Sequence, residues 1–418
     1  MSLTRDRQIL ASIATGICSK LAGAAMALLA LPIIGRSLSL DDYNSFLVAM
    51  TSGSATTLVF GAISVTGISS IAEADTPSAR LMAIGETASF LAAVSVVLAL
   101  ISCGLFLLYR DVTPGAWVIF IASMLTIAQG FLLSGDIYQV ATGRGYLANV
   151  LQMLGSIVAL ALLLLTPLNV ASVTAIYFGV PAIVQMGVSV GAFRRPLPPL
   201  VRFTTLTQLA SRLSALLPAL INSVSDYLKI FGSAMVVGAI AGDLEYAVYS
   251  TLVLMAARAV NPISLFVRPI LPAYLDAQIQ QDVQWLRKLS LLIAGGLAIT
   301  TVLALAAATF FNLDLALKIL PQGAEFGRAD LFALALFVVG HAFCTLQSPF
   351  FVVSALRSDY ARVQLFSVIF GLVAGASLSS WGLQYGMLVA LGVLTYLHAC
   401  LLCFGIPRFL FRSALPSS

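Results

Sequence analysis

Six charged or titratable side chains inside long apolar runs of the sequence are candidates for chemistry. They are Lys20, Glu86, Asp226, Lys229, Arg258 and His341. A charged side chain at the centre of a bilayer costs roughly 2.5–3.5 kcal/mol on insertion scales, so such residues typically line a water-filled path or bind a polar ligand. Ammonium and guanidinium groups bind phosphates, whereas a carboxylate binds protons and cations. These residue types therefore indicate a site that holds an anion and responds to a cation.

Asp226 and Lys229 lie in one apolar run, at about 213–240. Read at helical spacing, the polar residues of this run fall within roughly a 100° arc. They are Asn222, Ser225, Asp226, Lys229 and Ser233. We therefore expect Asn222 and Ser225 to line the same water-accessible cavity as the charged pair, and we add His341 to this polar lining.

The charges of this cavity are assigned by their type. The cations that we expect to bind an anionic headgroup are Lys20, Lys229, Arg258 and Arg212. Asp226 is the first candidate for ion coupling and Glu86 the second. Arg258 is either such a cation or a buried structural ion. Because the cations outnumber the carboxylates, we expect a lipid phosphate or pyrophosphate as the ligand.

The same residues also have structural interpretations, which the sequence leaves open. Asp226 and Lys229 are spaced i, i+3 and can simply neutralise one another. Lys20 can extend to the lipid headgroups, and Glu86 can lie solvated at a helix end. His341 can relay protons or bind a polar substrate, or it can stabilise helix packing through a hydrogen bond.

The composition predicts the environment of these residues. Of 418 residues, 60% are hydrophobic and 9% are charged, and the mean hydropathy is +1.01, as in a polytopic membrane protein. Segments long enough to cross a hydrocarbon core of roughly 30 Å lie at about 9–34, 45–71, 84–109, 116–135, 147–166, 172–193, 213–240, 246–270, 289–311, 331–356, 363–383 and 386–409. We predict an all-α fold of about twelve transmembrane helices, each satisfying its own backbone hydrogen bonds.

The basic residues predict the orientation of these helices. Most of the 22 lysines and arginines fall on one side if the N-terminus is cytoplasmic, so both termini are assigned to the cytoplasm. This bias accounts for the net charge of +5, and we expect no nucleic-acid partner. The first apolar run is longer than the core of a signal peptide, so we expect it to stay in the membrane.

Two turns repeat the same spacing. The segment from Gly35 to Tyr43 and the segment from Gly238 to Tyr246 each end an apolar run and lead to an acidic residue before the tyrosine, at an offset of 203 residues. A weaker echo relates 138–146 to 351–360. We predict two pseudo-symmetric six-helix lobes, 1–195 and 213–418, joined by a cytoplasmic linker at 196–212 that is rich in proline and arginine.

Several motifs resemble a known family. They are Ser19-Lys20-Leu21, the run from Leu31 to Leu38, Asp42-Tyr43-Asn44-Ser45-Phe46, Asp226-Tyr227, Glu245-Tyr246-Ala247-Val248-Tyr249, Gly143-Arg144 and Leu356-Arg357. Together they resemble the bacterial polysaccharide flippases, the O-antigen and exopolysaccharide translocases of the multidrug, oligosaccharidyl-lipid and polysaccharide exporter superfamily. The resemblance covers essentially the whole chain as a plan of helices.

The resemblance implies a V-shaped transporter of the bacterial cytoplasmic (inner) membrane with a central cavity between two lobes. Such a transporter moves an undecaprenyl-pyrophosphate-linked oligosaccharide between leaflets by alternating access, coupled to H⁺ or Na⁺. Its cavity cations would hold the pyrophosphate while the polyprenyl tail stays among membrane lipids. The resemblance also implies a polymerase and chain-length proteins as partners in lipopolysaccharide or exopolysaccharide biosynthesis, and no enzymatic activity.

Other functions remain open at this point. A drug or metabolite exporter of the same fold would favour a more acidic or aromatic cavity, and an integral membrane polysaccharide polymerase usually needs a larger external loop. A scaffold without transport would have a cavity whose charges all pair off. We expect no cofactor and no metal site, because the five cysteines all lie in apolar runs and Cys400 and Cys403 have no second pair.

Overall fold

The computed structural model is all-helical wherever it has regular structure. It describes residues 2–72, 76–111, 115–141, 145–192, 206–260, 263, 277, 282–313, 320–321, 323–324, 326–352, 357–381, 383 and 385–413. No strand occurs in these ranges. The prediction of an all-α fold with about twelve helices is confirmed.

The twelve helices follow the predicted apolar runs. They are α1 (Ser2–Ser37), α2 (Leu40–Ala72), α3 (Pro77–Tyr109), α4 (Ala116–Ala141), α5 (Gly145–Leu165), α6 (170–192), α7 (206–241), α8 (Asp243–Val260), α9 (Val283–Phe310), α10 (Arg328–Val352), α11 (Arg357–Ser380) and α12 (Gly386–Ser413). Ten stretches of the described chain are long and apolar enough to cross a membrane. The protein is therefore a multi-pass membrane protein.

Two of the helices contain a π segment. Helix α6 consists of Val170–Thr174, the π segment Ala175–Gly179 and Val180–Ala192, and α7 consists of Leu206–Tyr227, the π segment Leu228–Gly232 and Ser233–Ala241. Helix α7 starts at Leu206, so it includes the last seven residues of the predicted linker. Residues 196–205 of that linker lie outside the described residues.

The chain divides into two compact units, Met1–Ser223 and Val224–Ser418, and the division falls inside α7. In the first unit, α1 packs on α5, α2 and α3 pack on α4, and α6 packs on α4 and α5. In the second unit, α7 packs on α11, α8 and α9 pack on α10, and α12 packs on α10 and α11. Adding six to each helix number converts the first pattern into the second, so both units are built on one packing plan.

The repeated turns make the same contact in both units. A Cβ atom added to Gly35 would lie 3.2 Å from the ring of Tyr43, and one added to Gly238 would lie 3.1 Å from the ring of Tyr246. Both tyrosines are buried. The spacing of eight residues therefore places a large ring against a position where any side chain would crowd it, and this explains why glycine stands at both positions.

The two turns differ in how they start the next helix. Ser39 accepts a hydrogen bond from the Asp42 backbone N–H at 3.2 Å, as an N-cap residue does. In the second unit Gly242 takes this place with φ +109°, a left-handed conformation that favours glycine. Both following helices carry acidic residues in their first turn, where they complement the helix dipole.

Candidate functional site

The charged pair predicted in α7 forms an ion pair. The Lys229 Nζ atom lies 3.2 Å from Asp226 Oδ1. The Lys229 side chain is only 3% exposed, whereas that of Asp226 is 49% exposed. The ammonium group is therefore enclosed by protein, and its counterion is the more accessible member of the pair.

A third side chain joins this pair from another helix. Gln364 of α11 is buried, and its Nε2 group donates a hydrogen bond of 3.0 Å to the same Asp226 Oδ1 atom. The Gln364 Oε1 atom is also buried and has no hydrogen-bond partner among the described residues. One carboxylate oxygen thus accepts from both an ammonium and an amide. Sequence analysis did not identify Gln364.

Lys229 lies in an irregular part of its helix. It is the second residue of the π segment Leu228–Gly232, and the Ser233 backbone N–H bonds to the Leu228 carbonyl, five residues earlier. In an α-helix that N–H would bond to the Lys229 carbonyl. The Ser233 hydroxyl instead donates to the Lys229 carbonyl at 2.6 Å. Ser233 thus satisfies the carbonyl that the π turn releases, and π turns of this kind are frequent at functional sites.

Two buried histidines lie within electrostatic range of the pair. His341 of α10 stacks on Phe337, with ring centroids 5.8 Å apart and an angle of 16° between the rings. Its Nδ1 atom has no hydrogen-bond partner in the described part of the chain. The charges of both Lys229 and Asp226 act on His341 and also on His398 of α12. No role was predicted for His398.

The remaining predicted residues are distributed over both units. Ser225 is fully buried in the second unit, beside Asp226 in the chain. Asn222 belongs to the first unit, and both polar atoms of its amide are buried with no partner among the described residues. Arg258 is half-buried in the last turn of α8. Among described residues it forms no ion pair.

The other predicted charges all belong to the first unit. Lys20 and Glu86 are half-buried on α1 and α3. Arg212 lies on α7, but its side chain is outside the described residues. The structure thus brings Asp226 and Lys229 together and places His341 in their range. The prediction that these residues share one cavity with Lys20, Glu86, Arg212 and Arg258 stays a prediction.

The ion pair has no counterpart in the first unit. At the offset of 203 residues, Asp226 corresponds to Gly23 and Lys229 to Met26. A Cβ atom added to Gly23 would lie 3.8 Å from the Ser156 hydroxyl oxygen of α5, which is an ordinary van der Waals contact. At these two positions of the repeat, charged residues stand only in the second copy.

No family model matches the chain, and no curated protein does either. Solved structures do match. One is a multidrug resistance MATE family transporter of the MOP superfamily in its inward-facing conformation, with 16% identity, a TM-score of 0.58, and 98% of this chain and 96% of that chain covered. Another is a multidrug resistance MATE family transporter of the MOP superfamily in an outward-facing conformation, with 14% identity, a TM-score of 0.60, and 99% of this chain and 97% of that chain covered.

A third structure is a MOP superfamily transporter from Pyrococcus furiosus, described as having a binding pocket of reverse polarity. It is 15% identical with a TM-score of 0.60, and the match covers 99% of this chain and 97% of that one. Over its whole length the chain therefore has the fold of MATE transporters of the MOP superfamily. These neighbours are described as transporters, and they include inward-facing and outward-facing conformations of this fold.

Proposed function

We propose that the protein translocates an undecaprenyl-pyrophosphate-linked oligosaccharide from the inner to the outer leaflet of the bacterial cytoplasmic membrane, by alternating access and coupled to H⁺ or Na⁺. Two observations of different kinds support this proposal. The motifs around Lys20, Asp42 and Asp226 resemble those of polysaccharide flippases. The fold, over the full chain, is that of a transporter superfamily.

The observation that carries the proposal is the buried ammonium of Lys229. A buried cation needs an anion beside it, and within the described chain that anion is the half-exposed carboxylate of Asp226. A phosphate oxygen can take the same place, because lysine binds phosphate as a compact point charge. Lys229 is thus able to exchange an internal anion for the headgroup of a substrate.

This exchange couples binding of the anion to binding of a cation. Breaking a buried ion pair by removing one partner costs about 3–5 kcal/mol, because the other charge is left uncompensated. A proton or Na⁺ that neutralises Asp226 therefore makes Lys229 available to an anion, and the return of the carboxylate to Lys229 expels that anion. Cation binding at Asp226 and headgroup binding at Lys229 are coupled through the single pair.

The test is leaflet-resolved accumulation of lipid-linked oligosaccharide in cells with the intact chain, Lys229→Ala or no copy, at matched membrane levels of the protein. We expect the intermediate to build up on the inner leaflet both without the protein and with Lys229→Ala. Lys288 is an exposed lysine at the start of α9, and Lys288→Ala serves as the control that should translocate normally. Normal translocation by Lys229→Ala would refute the role of the buried ammonium.

A second candidate is export of drugs or metabolites, which the multidrug resistance transporters among the structural neighbours favour. In that case deletion would leave the oligosaccharide distribution unchanged and would instead raise cellular retention of a cationic dye such as ethidium. A change in polysaccharide chain length with normal translocation would indicate a polymerase. A polymerase and chain-length proteins are the partners expected of a flippase, and we propose them as partners on the same grounds.

A further inference from the structure

We propose that Gln364 is the positioning residue that lets Asp226 gain and lose a proton in place, by turning over its side-chain amide. In the ion-paired state the amide nitrogen donates to the carboxylate. In the protonated state the amide oxygen accepts from the carboxylic acid. This inference rests on the proposed role of Asp226 in ion coupling.

The donor half of this arrangement is present in the structure. The Gln364 Nε2 atom lies 3.0 Å from Asp226 Oδ1 and shares that oxygen with Lys229. A hydrogen bond to an ionised carboxylate stabilises the ionised form. When Lys229 leaves to bind an anion, this amide is the donor that remains on the carboxylate.

The acceptor half is the unpartnered end of the same side chain. Gln364 is 4% exposed, and its Oε1 atom is buried with no hydrogen-bond partner in the described residues. A buried acceptor without a partner normally costs free energy, so its presence requires an explanation. The side chain amide has donors on one side and an acceptor on the other, and a rotation exchanges them.

The proton step balances within the site. A proton from water adds to the Asp226 carboxylate, the ammonium of Lys229 loses its counterion and takes up the incoming anion, and the new O–H of Asp226 donates to Gln364 Oε1. Deprotonation reverses each of these changes. Asp226 is the accessible member of the cluster, so the proton can enter from the exposed side without passing Lys229.

Other charged groups around Asp226 do not offer this second hydrogen bond. Lys229 is a donor only, and neither His341 nor His398 forms an ion pair with Asp226 in the described part of the chain. On the two helices packed beside α7, Arg258 of α8 and both Asp359 and Arg362 of α11 form no ion pair with Asp226 in the described chain. Gln364 is the described residue that hydrogen-bonds to Asp226 from another helix.

The experiment measures protonation of Asp226 in the full chain reconstituted in liposomes. Dicyclohexylcarbodiimide modifies protonated carboxyl groups in apolar surroundings, and mass spectrometry of the adduct at Asp226 against pH gives the midpoint of protonation. Infrared difference spectra report the C=O band of the protonated acid, which Asp226→Asn must abolish. The variants are Gln364→Met, which removes both functions of the amide, and Gln364→Asn, which keeps an amide but shortens its reach.

We expect both variants to shift the infrared band and to raise the pH midpoint by less than about one unit, because both protonation states lose a hydrogen bond and the one to the ionised carboxylate is the stronger. A larger rise, of up to about two units, would overturn the proposal, since it would mean that Gln364 serves as a donor alone. An unchanged infrared band would overturn it as well. Neither readout depends on the cargo, so a failure of oligosaccharide translocation would be seen separately.

The matched control is Gln347→Met. Gln347 is also a fully buried glutamine, on α10, and its Nε2 group donates to the Ala399 carbonyl of α12 at 3.5 Å. Gln347→Met therefore removes a buried amide from the same unit while Asp226 keeps its hydrogen bonds. We expect the midpoint and the infrared band of Asp226 to stay as in the unmodified protein.

Discussion

Neutralising Asp226 should destabilise the protein more than removing Lys229. In Asp226→Asn the ammonium stays 3% exposed and loses its counterion. For unit charges 3.2 Å apart, Coulomb's law gives about 5 kcal/mol at an effective dielectric constant of about 20 and about 1.3 kcal/mol in water. Because Asp226 is half exposed, we place the loss between these limits, at about 2–3 kcal/mol.

Removing Lys229 should destabilise the protein much less. In Lys229→Met the volume of the side chain is largely kept, and the carboxylate remains half exposed with Gln364 as its donor. We expect a change within about 1 kcal/mol, as for replacement of a buried ion by an apolar group of similar shape. The double variant Asp226→Asn/Lys229→Met should therefore be more stable than Asp226→Asn alone.

Thermal unfolding in detergent micelles, followed by the fluorescence of the three tryptophans, measures this order. The double-mutant cycle isolates the pair, because each single change removes the ion pair without creating another. The reasoning fails if Asp226→Asn is as stable as Lys229→Met, or if the second substitution brings no rescue. Either result would mean that Lys229 does not depend on Asp226 for its charge.

Three further changes test the scaffold by the same unfolding assay. Gly238→Ala should lower the free energy of unfolding by about 1–3 kcal/mol, since its Cβ atom would crowd a buried tyrosine ring at 3.1 Å. The control Gly61→Ala, where a Cβ atom meets open space, should be neutral or stabilising. Arg328→Met should lower the free energy of unfolding by about 1.5–3 kcal/mol, since it removes hydrogen bonds to three carbonyls at the end of α9. The control Arg110→Met, at an exposed arginine, should change the stability little. Ser233→Ala should cost about 1 kcal/mol, because the carbonyl that the π turn releases loses its donor.

The fold was predictable because a membrane imposes it on the sequence. Each apolar run must be a helix to satisfy its own backbone, so length and hydropathy are enough to place twelve of them. The repeat from Gly35 to Tyr43 and from Gly238 to Tyr246 was also recognisable in the sequence. In both copies the close contact between the glycine and the tyrosine ring dictates the two residue types and their spacing. Residues 142–144 and 353–356, which carry part of the weaker echo in the sequence, lie outside the described residues.

The candidate site was predictable only along α7 itself. The i, i+3 spacing of Asp226 and Lys229 already allowed the ion pair that the structure shows. Gln364 was not predictable, because it lies 138 residues away and reaches Asp226 through the packing of α11 on α7. The π segment was not predicted either, because Leu228 to Gly232 continues the apolar helical pattern of α7 without a residue that marks a wider turn.

The duplicated scaffold makes the position of the ion pair informative. Helices α1 and α5 of the first unit pack as α7 and α11 do in the second, and at the equivalent place they bring Gly23 near Ser156. Such a contact holds two helices together in the same way under all conditions. In the second unit the helix pair is joined by Asp226 and Gln364, so its strength depends on the charge of one accessible carboxylate. We therefore expect a ligand that changes this charge to alter the α7–α11 contact and to leave the α1–α5 contact unchanged, which would place the responsive element of the fold in the second unit.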